Sequence, residues 1–201
     1  MVSLSNTEKK IVLRVFKDIT KVYNANTISK LVGVSRMGAS KSLKRLEQKS
    51  ILKSVRLGKA FFYRIAKEEA YAKKIVEILL MEEAMERQKW IDELKNLFPF
   101  ADVLLLFGSI LKDEIKARDI DILIVLKREN DRQISRDIGS KNEILLKKIH
   151  PVKQTMQDFR ENLAKKDKVL MSAISEGIVL HGYEEYVEIV LDAGQKNQVV
   201  S

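Results

Sequence analysis

The sequence predicts an α+β protein of two domains joined by a helical connector. Three observations carry that expectation. Apolar residues recur at helical spacing through the first 46 residues and then give way to two short β-type runs. Two continuous apolar runs, 103–107 and 122–126, read as strands buried on both faces. The charge is unevenly split: residues 1–66 hold 15 Lys and Arg against three acids, whereas the remainder holds 22 against 25. A front segment that basic, inside a chain of net charge +9, calls for an anionic partner, of which nucleic acid is the commonest for a folded segment.

The front elements follow in order. Ile11, Val12, Val15, Phe16 and Ile19 form the stripe of a first helix, entered through Ser5-Asn6-Thr7. Asn26-Thr27 is expected to cap a short second helix carrying Ile28 and Leu31. Gly33 makes a turn, and Ser35 caps a third helix with Ala39, Leu43 and Leu46 inward. Two strands, 51–55 and 61–65, are then joined by Arg56-Leu57-Gly58-Lys59-Ala60.

In this order residues 7–65 resemble the winged helix-turn-helix of bacterial and archaeal regulators, broadly the MarR and ArsR type. Gly33-Val34-Ser35-Arg36 and Leu43-Lys44-Arg45-Leu46 carry the likeness. The resemblance implies double-stranded DNA as partner, with the third helix in the major groove and the hairpin at phosphate or minor groove. Arg36, Met37, Ser40, Lys41 and Lys44 then face DNA, Arg36 and Lys41 as base readers. Lys44, Arg56 and Lys59 are assigned to phosphate.

Lys67–Phe98 has neither Gly nor Pro and keeps a helical stripe, so one long or once-broken helix ended by Pro99 is expected as connector. Its apolar stripe needs a partner, and a homodimer is the preferred one. The division is thus 1–66, 67–98, a second domain at 99–191, and a flexible tail at 192–201.

In the second domain, Phe107-Gly108-Ser109 and Asp119-Ile120-Asp121 stand at neighbouring strand ends. Gly108 lets the backbone turn sharply against a ligand, and the Ser109 hydroxyl and nearby amides can donate to phosphate oxygens. Asp119 and Asp121, two apart in a strand, project to one face and suit Mg²⁺ (or Mn²⁺), which bridges carboxylates to phosphates. With no cysteine and only His150 and His181, both assigned structural roles, a Cys/His zinc site is excluded.

These motifs, with Ile122-Leu123-Ile124-Val125 behind them, resemble the polymerase-β-like nucleotidyltransferases, in particular the minimal members, over about residues 97–191. The resemblance implies that Gly108 and Ser109 bind the triphosphate of an NTP, and that Asp119 and Asp121 are catalytic metal ligands. Where many members have Arg-Gly this chain has Lys112-Asp113, which leaves Lys112 to meet a phosphate. The third carboxylate these enzymes usually supply from a later strand is missing, because Ile149–Thr155 contains no acid. Asp158 has capping-box spacing from Thr155 and is assigned to structure.

Three functions fit: a DNA-binding transcriptional regulator with a nucleotidyltransferase, an antitoxin-like enzyme that AMPylates a partner such as a HEPN toxin, and a regulator with a catalytically inactive nucleotide sensor. The remaining elements are helices at 130–148 and 167–176, the latter stopped by Gly177, and the apolar run Ile178-Val179-Leu180. No apolar run is long enough to span a bilayer and no signal segment opens the chain, so a cytoplasmic protein is expected.

Overall fold

The computed structural model describes residues 3–19 and 21–196, with side chains described to residue 194. It divides into two compact units, residues 1–79 with 190–201, and residues 80–189.

The first unit begins with α1 (Asn6–Lys17), whose N-cap Ser5 and Glu8 form a capping box: the Ser5 hydroxyl accepts from Glu8 N, and the Glu8 carboxylate accepts from Ser5 N at 2.8 Å. Glu8 is buried and is also reached by Arg45 and Lys49, which offset its charge. Helix α2 (Ala25–Val32) is capped by Asn24, two residues earlier than Asn26, because Asn24 Oδ1 reaches the amides of both Asn26 and Thr27. Gly33 closes it at φ +70°, and α3 (Arg36–Gln48) follows from the Ser35 cap. Ile11, Val12, Phe16, Ile28, Ala39, Leu43 and Leu46 are buried.

Strands β1 (Leu52–Leu57) and β2 (Ala60–Ile65) pair antiparallel with Leu57 opposite Ala60. The turn is therefore Gly58-Lys59 alone, shorter than the five-residue connection expected, and Gly58 at φ +60° supplies the left-handed step that a two-residue hairpin needs. Three helices followed by a two-stranded hairpin make this unit a winged helix-turn-helix.

The connector is broken once. Helix α4 (Ala70–Met85) ends before Arg87, and α5 (Gln88–Leu94) runs into a 3-10 turn (Lys95–Phe100) that contains Pro99. Residues 88–98, expected as connector, instead supply Trp90, Leu94 and Leu97 to the core of the second unit.

That core surrounds a four-stranded sheet of order β5-β4-β3-β6: β3 (Val103–Phe107), β4 (Asp119–Val125), β5 (Lys148–Gln154) and β6 (Ile178–His181). Strands β3/β4 and β3/β6 are antiparallel, whereas β4/β5 are parallel and joined through α6 (Asp131–Ile144). Leu104, Leu106, Ile120, Ile122 and Ile124 pack with Trp90, Leu94, Leu97, Ile134 and Ile138. Helices α7 (Met156–Ala164) and α8 (Lys168–Glu176) contact β5 and β3, so the strands read as unbroken apolar runs because helices cover the sheet.

Helix α6 stops at Ile144 rather than near Lys148, since Asn142 turns to bond both backbone groups of Ile149. The expected tail begins as helix: α9 (Tyr183–Lys196) includes residues 192–196, and 197–201 lie outside the described residues. Among the described residues, no helix is long and apolar enough to cross a membrane.

Candidate nucleotide and metal site

The site is built where the β3–β4 connection leaves one strand and enters the next. Phe107, the last residue of β3, pairs with Asp121, so the turn at Gly108 passes directly over the Asp121 side chain. Gly108 takes φ +85°, ψ −157°, a region essentially reserved for glycine. A Cβ there would lie 2.3 Å from Asp121 Oδ2. Two constraints thus demand the same residue: the backbone conformation and the carboxylate beneath it. Ser109 then opens a 3-10 turn (Ser109–Leu111), exposed, with its carbonyl accepting from the amides of Lys112 and Asp113.

Asp119 and Asp121 are the first and third residues of β4, both half-buried, while Ile120 between them goes to the core. Burial raises the Asp121 carboxyl above the usual carboxylate range; His150 beside it pulls it back down, and Asp119 raises it further. A carboxylate in that state is relieved by a cation. Two hard oxygen donors on one strand face fit Mg²⁺ or Mn²⁺, which complete their shell with water and phosphate oxygens. Among the described residues no group of three His, Asp or Glu is gathered closely enough to hold an ion alone. The donor set fits an ion that takes part of its shell from a bound triphosphate.

Lys112 lies just past the 3-10 turn, and its ammonium pairs with Glu176 Oε2 at 2.8 Å. Both side chains are exposed, so the pair is weak enough to exchange for a phosphate. Asp158 is held by Thr155 in a reciprocal capping box, which lowers its carboxyl, and it stays with structure. His181 stacks on Phe98 at 4.8 Å between ring centroids, and burial lowers its imidazole, again a structural role.

His150 is different. The parallel register sets it beside Asp121, and its Nε2 stands 3.8 Å from Asp119 Oδ1, with most of the ring exposed. It occupies the strand from which a third carboxylate is expected. The structural role expected of it from sequence takes no account of the aspartates, because only the β4/β5 register brings it to them. A cleft of about 190 Å³, lined by Leu126, Arg128, Asp131, Lys153 and Thr155, opens at the other ends of β4 and β5, away from these groups.

In the first unit, Arg36, Met37, Lys41 and Lys44 are exposed and Ser40 is half-exposed on α3, opposite the buried Ala39, Leu43 and Leu46. Arg56 and Lys59 are exposed on the hairpin, with Arg56 Nε donating to Gly58 O. Arg45 and Lys49, equally basic in sequence, turn to Glu8 instead.

Residues 87–180 match the family model described as the nucleotidyltransferase domain. Among curated proteins none matches the chain. Similar solved structures include an adhesin competence repressor from Streptococcus pyogenes (14% identity, 47% of this chain and 68% of that one, TM-score 0.38). A ZitR variant from Lactococcus lactis in complex with DNA is similar at 16% identity (71% and 76%, TM-score 0.34). So is a homodimeric winged helix-turn-helix DNA-binding domain from Mycobacterium bovis, described as a possible ArsR-family regulator (15%, 44% and 92%, TM-score 0.29). Likenesses this distant carry no functional weight, and the winged-helix assignment rests on the order and pairing of the elements. Residues 87–180 form a nucleotidyltransferase-family domain, carried on the same chain as a winged helix-turn-helix.

Proposed function

We propose that this protein is a DNA-binding transcriptional regulator whose second domain binds a divalent-metal NTP at Gly108, Ser109, Asp119 and Asp121 and transfers its nucleotidyl group to an acceptor hydroxyl. The observation that carries the reading is the Gly108 turn, which passes without a side chain directly against Asp121, a carboxylate that burial has raised. Gly108 keeps the approach clear of side-chain atoms. The Ser109 hydroxyl and the amides of the turn donate to phosphate oxygens, and Lys112 adds a positive charge on leaving Glu176. Asp119 and Asp121 hold the metal. When bound, the ion neutralises charge on the transferring group and orients the attacking hydroxyl. A homodimer belongs to this proposal, since winged-helix proteins pair to read two-fold DNA sites.

A second reading, a regulator whose nucleotide domain senses without turning over, is favoured by the acid-free β5. Labelled NTP offered with Mg²⁺ to the wild type and to Asp119→Ala/Asp121→Ala separates them. Metal-dependent binding with transfer supports the enzyme, binding without transfer supports the sensor, and binding by neither protein removes both.

A further inference from the structure

The hairpin of the first unit extends past the core it packs on. Leu52, Tyr63 and Ile65 are buried and share one face of β1 and β2, because residues directly opposite each other and residues two apart point the same way. Helix α3 meets that face through Glu47, whose Oε1 accepts from both the amide and the hydroxyl of Ser54. Two residues nearer the turn, the same face carries Arg56 opposite Phe61, and both are exposed. The other face ends in Leu57 opposite Ala60. Phe61 and Leu57, one on each face of the tip, are both 53% exposed.

An apolar chain on each face of one hairpin tip restricts what covers it. A flat protein surface would bury one face and leave the other wet, whereas a groove has two walls and buries both. Charge then selects the groove. Residues 52–65 hold Lys53, Arg56, Lys59 and Arg64 and no acid, and Lys53, Arg56 and Lys59 are exposed. Arg56 donates through Nε to Gly58 O, which keeps its guanidinium at the turn. A polyanionic groove beside a helix seated in the major groove is the minor groove of the same duplex.

Entry of this tip distorts the DNA. Paired strands lie about 4.8 Å apart, and the minor groove of B-DNA is about 6 Å wide, so the hairpin backbone alone nearly fills it. Side chains on both faces enter only if the groove opens. Phe and Leu are residue types that wedge between base steps there, and such wedges kink the duplex toward the major groove by about 20–90°. Pyrimidine–purine steps give way most easily.

We propose that the wing drives Phe61 and Leu57 into the minor groove of duplex DNA, with Arg56 and Lys59 on the flanking phosphates, so that binding bends the duplex and selects sites with a flexible step beneath the wing. The inference rests on the DNA-binding reading above and deepens it, since phosphate contacts from the wing's cations alone would leave the duplex straight.

The test selects duplexes of about 30 base pairs from a random pool by retention on the full-length protein, a length that holds two half-sites one turn apart. Energy transfer between dyes on the two ends of the selected duplex then reads the bend for the wild type and for Phe61→Ala/Leu57→Ala, whose positions lie outside the core. The wild type is expected to bring the ends together. The double variant is expected to bind about tenfold more weakly, the scale of one lost base–aromatic contact, and to leave the duplex straight when saturating. Two results overturn the inference: a duplex that the wild type binds without bending, or a bend that the double variant keeps. In the second case, a fall in the variant's mass by light scattering would place the tip against a second copy of this chain. Retention of no duplex by the wild type would instead bring down the DNA-binding reading itself, and the wedge with it.

Discussion

Gly108 and Asp121 are locked together: a Cβ on the first would overlap a carboxylate oxygen of the second at 2.3 Å. The turn that leaves β3 and the strand that carries Asp121 are thus one constraint. Gly108→Ala is expected to cost about 1–3 kcal/mol of stability from its φ of +85° alone, and to abolish nucleotide binding. Adding Asp121→Ala relieves the overlap but not the backbone strain. Chemical denaturation of the two single variants and the double variant should therefore show a coupling of about 0.5–3 kcal/mol; simple additivity would mean that the turn and the carboxylate are independent.

Asp121 carries a pH signature. Burial raises its carboxyl above the ordinary 3.8, so without metal its contribution to stability is full below that value and is lost as pH rises through the folded-state pKa. At neutral pH the charged form is a burden, and Asp121→Asn should melt higher than the wild type, with the gap closing on acidification. Saturating Mg²⁺-NTP reverses the order, since only the wild type is stabilised, by about 2.7 kcal/mol at a hundredfold excess over Kd. Thermal melts at pH 3.5 and 7, with and without ligand, check both signs.

Tyr23 provides a control in the other unit. Burial and the hydrogen bond to Asp18 push its phenol up to about 12 from 10.0. Its contribution is full below pH 10 and is lost as pH rises through about 12, because the unfolded chain ionises first. Tyr23→Phe should cost about 1 kcal/mol near neutrality. A stability-against-pH curve should show less alkaline loss in the variant.

The basic face of α3 makes a separable claim. Arg36→Ala should weaken binding to a preferred duplex by about 1–3 kcal/mol and relax base preference, as expected for a base contact. Lys44→Ala should weaken all sequences alike and flatten the salt dependence by about 0.9 in log–log slope, as expected for one phosphate contact. Titrations from low to moderate salt measure both quantities; an unchanged slope for Lys44→Ala would remove it from the interface.

The parts of this fold that announced themselves in sequence are those where one local signal decides. Ser35 before α3, the Thr155/Asp158 box, and β3 and β4 as unbroken apolar runs all needed only near neighbours. The placement of Gly108 in a turn and of Asp119 at the start of β4 is legible for the same reason. What failed depended on distant pairing. Residues 88–98 keep the helical periodicity of α4, and only packing against β3 and β4 shows that Trp90, Leu94 and Leu97 belong to the second core. His150 was invisible as a neighbour of Asp119 because a parallel register across α6 cannot be counted along the chain. The hairpin turn is shorter than its sequence suggests because Leu57 and Ala60, both outside the core, give no burial signal for pairing.

The central claim, that one turn and two strand carboxylates make a metal-nucleotide site, is tested most directly by titrating labelled ATP into the wild type with Mg²⁺ and with chelator, beside Asp119→Ala/Asp121→Ala. Binding is expected to be saturable, to need Mg²⁺ and to fall at least tenfold in the double variant. Equal binding by wild type and double variant, or binding indifferent to Mg²⁺, would contradict it.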